Sequence, residues 1–432
     1  MFHHLLQDNQ HGYPGCPVFG KVLAMIILLF LFSHSASHAG FQGGTGTKED
    51  PFQIASIDDF QLIRNHLDRH FIQVQNFDAS YENDFFPVGD FRNPFRGSYD
   101  GAGLSISNLS ITFCPTCGVS SSGLFGVVDG GEVKNVTLLD VFITETENVG
   151  ALVGYNKGTI INSCASGTVS GRNNTGGLVG YNDGKIFTSC ANVDVSGTRS
   201  VGGLAGLNSG TIRDCYAKGS VTGDEETGGL VGANLTDALI AASFACGKVE
   251  KPDEAGGLVG FNRGTIESGY WDRDSSSREK GVGQGNDTGT TGLNTTQMTG
   301  ISAFETMSQL DFGHTWLLTP DYPALFWQDV ETIELPSSTE NPEKTVSFQL
   351  YPNYPNPFNA TTLIRFSLAE TSHVKLEIFT LQGQPVELLV SETRSAGMHS
   401  VRFNAGGHAA GVYLCRIRVN GVSESRKMLF LP

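Results

Sequence analysis

A short apolar motif recurs through the middle of the chain at an almost constant interval. Residues 150–156, 176–182, 202–208, 228–234 and 256–262 read GALVGYN, GGLVGYN, GGLAGLN, GGLVGAN and GGLVGFN. Their leucines are separated by 26, 26, 26 and 28 residues: Leu152, Leu178, Leu204, Leu230 and Leu258. Leu124, in an SGLFG segment, lies 28 residues before the first of them. The interval predicts a repeat architecture.

Further apolar columns follow the same interval. They are Ile160, Ile186, Ile212, Ile240 and Ile266; Ala165, Ala191, Ala217 and Ala245; and Val169, Val195, Val221 and Val249. The β-type runs around them are short, are separated by Gly and Asn, and are not long enough for a helix. One repeat cannot bury a core, but stacked coils bring matching side chains into one continuous core. The pattern therefore predicts an all-β parallel β-helix whose coils lie about 4.8 Å apart.

An asparagine closes each motif. The column consists of Asn156, Asn182, Asn208, Asn234 and Asn262. We expect these residues to take a left-handed backbone before a turn and their amides to hydrogen-bond along the axis. Gly171, Gly197 and Gly223 mark a second corner. A two-residue insertion lies between Leu230 and Ile240, and the loss of the turn glycine after Asn234 predicts one irregular corner. Propellers and leucine-rich arrays are the rivals, but neither a WD nor an LxxLxL pattern recurs from repeat to repeat.

The pattern changes near residue 348. Residues 364–368, 374–378, 401–403 and 412–419 alternate apolar and polar side chains, and turns are marked by Gly383, Gly397 and Gly421. Such alternation predicts a small antiparallel Ig-like β-sandwich. The polar, Pro-containing segment before it is typical of a linker.

The first 39 residues have the pattern of a secretory signal peptide. An apolar run at 22–32 follows Lys21, and Ser37 and Ala39 supply small residues for cleavage after Ala39. The run is shorter than the roughly 20 apolar residues of a bilayer span. A short membrane anchor is the alternative, and after cleavage the sequence predicts no transmembrane span.

Composition narrows both architecture and partners. Gly accounts for 54 of 432 residues and charged residues for 17%, which disfavours coiled coils and helical bundles. Asp and Glu outnumber Lys and Arg by 44 to 28, which gives a net charge of −16. Because an acidic surface repels phosphate backbones, we expect no nucleic-acid partner.

Seven cysteines remain once Cys16 leaves with the leader, and they face an oxidising compartment. The odd number leaves at least one thiol free or paired with another chain. Cys114 and Cys117 form a CxxC in a loop, which favours a local disulfide over a redox site, and no second CxxC supports zinc. The pairing of the other cysteines stays open.

The repeat motif, GGLVGxNxGxI in its fullest form, resembles the GLUG motif family over roughly 124–271. PFRGSYDGAGLSISNL at 94–109 resembles the coil that opens such β-helices. GYWD at 269–272 and TGLNTTQM at 291–298 resemble their closing segment. The resemblance implies a bacterial surface or secreted protein with a β-helical fold.

The tail also resembles a known family. YPNPFN at 354–359, GVY at 411–413 and RKMLFL at 426–431 resemble the C-terminal sorting domain of type IX secretion substrates. The resemblance implies a partner, the type IX secretion machinery, and a secreted or outer-membrane surface location in a Bacteroidota-like bacterium. An ordinary Ig-like module is the alternative, but it does not explain the YPNPFN run.

These patterns together predict the domains. They are a signal peptide at 1–39, a β-helix at 40–329 (opening coils 40–122, regular repeats 123–271, closing segment 272–329), a linker at 330–347 and the sorting domain at 348–432.

Candidate chemistry is sparse. The sequence contains no GxSxG, HExxH, P-loop or dinucleotide motif, and we assign no catalytic residue and no cofactor. Asp272 and Asp274 are spaced like the start of a calcium loop, but Gly283 stands where the twelfth position needs an acidic residue.

The repeat register creates one candidate metal site, an acidic corner. Because Val249 is equivalent to Val221, Glu225 stacks on Asp253 and Glu226 on Glu254. Like charges on neighbouring coils either turn into solvent or share a cation. We favour the solvated turn; calcium binding is the alternative, and paired carboxylates for glycan hydrolysis are a third.

The outer positions favour an interaction protein over an enzyme. They are mostly apolar or Gly in the GGLVG run, whereas β-helix enzymes that cleave polysaccharides project Asp, Arg or Lys from successive strands. The outer column Tyr155, Tyr181, Leu207, Ala233 and Phe261 is interrupted, so we expect no continuous sugar-stacking platform. We expect an adhesin-like protein that binds a surface polysaccharide, or a host or environmental glycan or protein. A secreted polysaccharide hydrolase or lyase is the alternative.

Overall fold

The computed structural model describes residues 40–80, 85–112, 120–250, 253–312, 315–332, 348–354, 356–380 and 384–431. The predicted signal peptide, the predicted Cys114–Cys117 disulfide and most of the predicted linker lie outside these residues. Within them, about eight coils of parallel strands precede antiparallel sheets, which confirms the predicted fold class. No helix in these ranges is long and apolar enough to cross a membrane.

The opening coils combine short strands with one helix. The strands are β1 (Phe52–Ile54), β2 (His70–Gln73), β3 (Phe77–Asp78), β4 (Ser98–Asp100), β5 (Ser105–Ser107) and β6 (Ser110–Ile111). Helix α1 (Ile57–Leu62) runs into a 3-10 turn (Ile63–Asn65), and Ser56 caps it by accepting a hydrogen bond from the Asp59 amide. The helix buries Phe60 edge-on against Tyr99. Aromatic side chains therefore fill this end of the core.

The regular coils carry the remaining strands of the repeat region. These are β7 (Phe125–Lys134), β8 (Thr137–Thr144), β9 (Glu147–Val149), β10 (Val153–Ile161), β11 (Cys164–Ser170), β12 (Asn173–Gly176), β13 (Val179–Asn182), β14 (Lys185–Phe187), β15 (Cys190–Ser196), β16 (Arg199–Gly202), β17 (Ala205–Asn208), β18 (Thr211–Arg213), β19 (Tyr216–Ala217), β20 (Val221–Thr222), β21 (Glu225–Gly228), β22 (Val231–Asn234), β23 (Leu239–Ala245), β24 (Val259–Asn262) and β25 (Thr265–Asp272). Each strand pairs in parallel with its equivalent on the next coil, and β9, β12, β16 and β21 form a separate small sheet.

The apolar columns point inward as predicted. Ile160 pairs with Ile186 and Ile186 with Ile212, so matching residues meet on neighbouring coils. The six leucines of the motif are fully buried in one hydrophobic cluster, which confirms the predicted common core. The two-residue insertion lies in the turn after Asn234, where Asp237 has a φ of 67°. Insertions are tolerated there because the paired strands on either side keep their register.

The asparagine column forms a continuous amide ladder inside the protein. The Nδ2 of Asn156 donates to the Oδ1 of Asn182 at 2.8 Å, and that of Asn182 donates to Asn208 at 2.7 Å. Asn208 continues to Asn234 and Asn234 to Asn262, each at 2.8 Å. All five side chains are buried. The predicted ladder is confirmed, and it satisfies polar groups that would otherwise be costly to bury.

The backbone expected for these asparagines is wrong. They lie in strands, and none of the five has a positive φ. Most left-handed residues of the repeats form two other columns, the first mainly at corners between strands and the second inside strands β9, β12, β16 and β21. One is Asn135, Asn162, Thr188, Asp214, Ala242 and Ser268, and the other is Asn148, Asn174, Ser200 and Glu226. The ladder side chains instead require an extended backbone, because only then do their amides project into the coil and meet along the axis.

Close approach of neighbouring coils explains the glycine pair of the motif. A Cβ atom on Gly203 would lie 2.2 Å from the carbonyl oxygen of Gly229 on the next coil. Gly177 stands in the same relation to Gly203. A side chain at these two positions would push the coils apart, although the first motif has the buried Ala151 at the equivalent position.

The closing segment turns back along the side of the β-helix. It contains β26 (Val282–Gly285), β27 (Thr290–Leu293), β28 (Trp316–Leu317), β29 (Ala324–Leu325), α2 (Arg273–Ser276), α3 (Thr295–Met298) and α4 (Ser302–Thr306). Its Trp316 packs on the stacked rings of Tyr216 and Phe244, which point outward from the coils. The Trp327 indole donates to the Thr188 carbonyl at 2.7 Å. This outward aromatic column is therefore covered.

The C-terminal region forms two antiparallel sheets around a separate core. The strands are β30 (Phe348–Leu350), β31 (Thr361–Leu368), β32 (Ser372–Thr380), β33 (Pro385–Arg394), β34 (Gly397–Asn404), β35 (Gly411–Val419) and β36 (Val422–Phe430). One sheet has the order β30-β31-β34 and the other β33-β32-β35-β36. Strand β33 was not predicted, because most of its side chains are exposed and a register shift interrupts its alternation.

Residues of the YPNPFN run contact the last strand of this region. Phe358 is buried against Phe403 and Phe430, and its backbone exchanges two hydrogen bonds with residues 429 and 431. The Asn356 side chain accepts a hydrogen bond from the Leu429 amide at 2.8 Å. These contacts hold the last strand, β36, in place.

A disulfide joins two neighbouring coils. Cys164 and Cys190 are separated by 26 residues and their Cα atoms by 4.6 Å. Because this separation equals the repeat length, the two cysteines occupy equivalent positions on neighbouring coils, and the pair could have been predicted from the sequence. Among the described cysteines, Cys215, Cys246 and Cys415 are free and buried, in line with the expected free thiol.

Replacing Asn208 by Ala tests the amide ladder. The substitution leaves the Nδ2 of Asn182 and the Oδ1 of Asn234 without their amide partners inside the protein. We expect the free energy of unfolding to fall by about 3 kcal/mol, measured by denaturant unfolding. The control is Asn192→Ala at an exposed strand position, for which we expect a change within about 0.5 kcal/mol. Equal effects of the two substitutions would contradict a structural ladder.

The free cysteines should resist alkylation in the folded protein. Burial raises the pKa of Cys415 to about 12 and shifts the pKa of Cys215 and Cys246 upward as well. We expect iodoacetamide at pH 8 to leave these three thiols unmodified, because the thiolate is the reactive form. Peptide mapping before and after denaturation measures this directly. Rapid labelling of Cys215 in the native protein would show that its burial is wrong.

Candidate lateral binding surface

The structure places the acidic corner at the end of the small β9-β12-β16-β21 sheet. Glu225 is in register with Arg199 on the preceding coil, and Gly228 is in register with Gly256 on the next coil. The Glu225–Asp253 and Glu226–Glu254 equivalences therefore follow from the register. The carboxylates of Glu226 and Glu254, however, accept their hydrogen bonds from other side chains. A Gln284 amide donates to Glu254, and Arg199 and Ser200 donate to Glu226.

Arg199 neutralises part of this corner. Its guanidinium lies 3.2 Å from a Glu226 carboxylate oxygen and 3.9 Å from one of Glu225. Partial burial alone would raise the pKa of Glu226, but the hydrogen bonds from Arg199 and Ser200 outweigh it and hold this pKa below its ordinary value. The sequence contained the signal, because Arg199 stands 26 residues before Glu225. Within the described ranges, no group of three or more His, Cys, Asp or Glu side chains could hold a metal ion.

The calcium-like segment after β25 caps a helix. Asp272 is fully buried and precedes α2. One carboxylate oxygen accepts hydrogen bonds from the Asp274 and Ser275 amides, and the other from the hydroxyls of Thr295 and Tyr322. Both oxygens therefore bind the closing segment to the last coil.

The outer column that begins at Tyr155 is partly open to solvent, since its residues are half-buried except for the buried Ala233. Tyr155 is in register with Tyr181, and Tyr181 with Leu207. The two tyrosine rings meet edge to face with centroids 4.7 Å apart, and both are half-buried. Ala233 and Phe261 follow on the next coils, so the interruption expected from the sequence is present.

Phe91 adds a third ring that the column pattern does not contain. It belongs to the turn at 90–93, where the Asp90 carboxylate accepts hydrogen bonds from the amides of Arg92 and Asn93 at 2.7 Å each. Phe91 is 53% exposed and its centroid lies 5.1 Å from that of Tyr155. We call Phe91, Tyr155 and Tyr181 the aromatic stripe. Phe91 could not be found from the repeat spacing, because this residue reaches the column from a turn that is not part of a repeat.

A polar border lies beside the aromatic stripe. Asp183 accepts hydrogen bonds from Ser209 at 2.8 Å and from the Tyr155 hydroxyl at 3.4 Å, and it lies 3.7 Å from the Lys157 ammonium. Burial, followed by the negative charge of Asp183, raises the pKa of Tyr155 to about 12. The phenol therefore stays protonated at physiological pH and can donate a hydrogen bond.

The C-terminal sheets contact a different side of the β-helix. The Tyr354 hydroxyl donates to Asn135 at 3.3 Å, and Arg365 donates to the Gln328 carbonyl while it stacks on the Phe326 ring. Burial lowers the pKa of Arg365 to about 10. A cavity of about 360 Å³, with Trp327 in its wall, separates the two regions at this contact.

Family models match one segment in each part of the chain. Residues 353–430 match the secretion system C-terminal sorting domain, and residues 197–222 match the GLUG motif. The two resemblances inferred from the sequence are thereby confirmed. The sorting domain implies export by type IX secretion, interaction with that machinery, and secretion or attachment at the cell surface.

Two curated proteins are similar to parts of this chain. Halomucin of Haloquadratum walsbyi is 34% identical over 143 residues, and a "Putative Gly-rich membrane protein" of Evansella cellulosilytica is 36% identical over 154 residues. The alignments cover 30% and 32% of this chain but 2% and 18% of the relatives. This chain therefore spans a small part of the length of either relative.

A solved structure shares the fold. It is the crystal structure of a "putative immunoglobulin A1 protease" from Bacteroides ovatus, with a TM-score of 0.52 and 20% sequence identity. The match covers 67% of this chain and 96% of the other. At this identity the likeness concerns the fold alone.

Replacing Arg199 by Gln tests the acidic corner. The variant removes the guanidinium, so we expect the pKa of Glu226 to rise. In the parent this pKa lies below its ordinary value. The stabilisation from the pair is therefore complete above about pH 4.3, the value in an unfolded chain, and is lost as the pH falls through the lower folded-state pKa. Denaturant unfolding of parent and variant should differ at pH 7 and converge toward pH 3.

The matched control is Arg172→Gln, an exposed arginine one coil earlier. We expect no pH-dependent difference between this control and the parent. A difference for Arg199→Gln that persists unchanged at pH 3 would contradict the pairing with Glu226. Repeating the pH 7 measurement with calcium tests the cation hypothesis. If calcium binds at this corner, it should stabilise the parent protein but not the double variant Glu225→Gln/Asp253→Asn.

Proposed function

We propose that this protein is an adhesin-like interaction protein, secreted or attached to the outer-membrane surface of a Bacteroidota-like bacterium, that binds its partner without catalysis. Its partner is a surface polysaccharide, or a host or environmental glycan or protein. The observation that carries the proposal is the open aromatic stripe on the side of an exported β-helix. Large exposed aromatic side chains grouped on one surface are typical of binding sites.

The contrast between two outward aromatic columns supports this proposal. The column with Tyr216 and Phe244 is covered by the closing segment, and both rings are buried. Among the residues that the structure describes, no segment covers the stripe with Phe91 and Tyr155 in this way, although the same folding forces would favour burying it. A chain that supplies a cover for one column and leaves the other open has a surface suited to a partner.

The chemistry of the acidic corner disfavours the enzymatic alternative. A glycoside hydrolase needs one carboxylic acid with a raised pKa and a second carboxylate near it. The pKa of Glu226 is lowered, and its carboxylate is held by Arg199 and Ser200. Glu254 is held by Gln284. The Glu226 carboxylate is therefore not prepared for proton donation to a glycosidic oxygen.

Binding and turnover measurements on the full chain test the proposal. The purified protein is applied to arrays of plant, bacterial and host glycans and of extracellular host proteins, and each bound candidate is then incubated with it. We expect saturable binding with no new reducing ends, unsaturated sugars or peptide fragments. Immunoglobulin A1 is included because the B. ovatus protein that shares the fold is named as a protease of that antibody. Product formation from any candidate contradicts the proposal, as does the absence of all binding.

A further inference from the structure

We infer that the aromatic stripe, with its polar border, is a binding site for neutral polysaccharide. This inference rests on the proposed function and names the ligand class and the residues. The rings of Phe91, Tyr155 and Tyr181 supply apolar surface, and the border supplies hydrogen-bonding groups within reach of the ring edges. A pyranose ring has the matching construction, with C–H groups on its face and hydroxyls around its rim.

The site is organised before a ligand arrives. The Asp90 carboxylate fixes the turn that presents Phe91, and the inter-coil pairing fixes Tyr155 and Tyr181 at neighbouring positions. Asp183 is held by Ser209 and Lys157. Tyrosine side chains lose little conformational entropy on binding because they have few rotatable bonds. A preorganised site retains more of its contact energy as affinity.

The size of the surface favours a glycan over a protein partner. The stripe is one side chain wide and is bordered by the exposed charged residues Lys157 and Asp183. A specific protein interface buries about 800 Å² on each partner and depletes charge from its centre. Three rings between charged neighbours cannot supply such an interface. A polysaccharide chain needs only a narrow track, and it can run along the axis from coil to coil.

Charge selects a neutral glycan over an acidic one. The protein carries a net charge of −16, and Asp183 places an exposed carboxylate at the stripe itself. The ammonium of Lys157 is already engaged by that carboxylate. A uronate or sulfated chain would meet a repulsive field here. The hydroxyls of a neutral sugar can instead donate to Asp183 and to the Tyr155 oxygen, whose own proton is directed at Asp183.

Affinity electrophoresis and calorimetry on the full chain test this site. The probes are laminarin, xyloglucan, arabinoxylan and galactomannan as neutral polysaccharides, and polygalacturonate as the acidic counterpart. Variants Tyr181→Ala and Phe91→Ala remove stripe rings, and Phe261→Ala is the matched control on the same outer column. We expect the stripe variants to lose about tenfold in affinity for a bound neutral polysaccharide, about 1.4 kcal/mol. The control should stay within about twofold of the parent.

The conservative variant Tyr181→Phe separates stacking from folding. It keeps the ring, so we expect it to retain binding while Tyr181→Ala loses it. Phe91→Ala keeps the test valid if Tyr181→Ala does not fold, because Phe91 lies on an exposed turn. Thermal melting of every variant confirms that the fold is intact.

The outcomes separate this inference from the proposed function. If a neutral polysaccharide binds and the stripe variants change its affinity no more than Phe261→Ala does, the site is wrong but the proposed function stands. Preference for polygalacturonate, or binding to proteins alone, overturns the ligand class in the same way. Binding to no candidate of either kind overturns both.

Discussion

Parallel coils can stack only if every coil returns the chain to the same place, and the amide ladder makes this requirement strict in this protein. A strand pairs almost equally well in neighbouring registers as far as its backbone is concerned. Asn182 and its equivalents remove that freedom, because a slip would place unpaired amides among the leucines and isoleucines of the core. Buried polar groups thus help to fix the 26-residue length of the coils that the ladder joins, and the longer coil that begins at Leu230 puts its extra residues in a corner after Asn234.

The same regularity determines what the outside can do. Every outward position is repeated at the coil spacing, so a side chain on one coil meets its equivalents on the coils before and after it. The disulfide between Cys164 and Cys190, the pairing of Arg199 with Glu225 and the contact of Tyr155 with Tyr181 are three results of this single geometry. The closing segment then makes the sides unequal. It covers one aromatic column and leaves the other exposed.

The parts of the structure that follow from periodicity could be predicted from the sequence. The inward columns, the ladder and the irregular corner after Asn234 needed only the repeat interval and the rule that matching side chains meet. The backbone of the ladder was predicted wrongly, because asparagine is common in left-handed turns and the sequence does not show which corner is left-handed. Phe91 and the return of the closing segment could not be predicted, since both bring non-repeating segments onto the coils. Arg199 could have been found by extending the acidic columns one coil further back.

In such a fold, the core residues provide most of the folding stability and the surface residues provide little of it. This difference is important for function. The register is maintained by buried leucines, isoleucines and amides, whereas the left-handed corner that includes Thr188, Asp214 and Ala242 accepts side chains of different chemistry. Corners and outward positions can therefore change without a loss of stacking. Because substitutions on this surface change the stability of the fold little, selection for binding a partner can determine its residues. A partly exposed aromatic group on it is better explained by binding than by stability. Substitutions on the aromatic stripe should for this reason report on binding with little interference from folding.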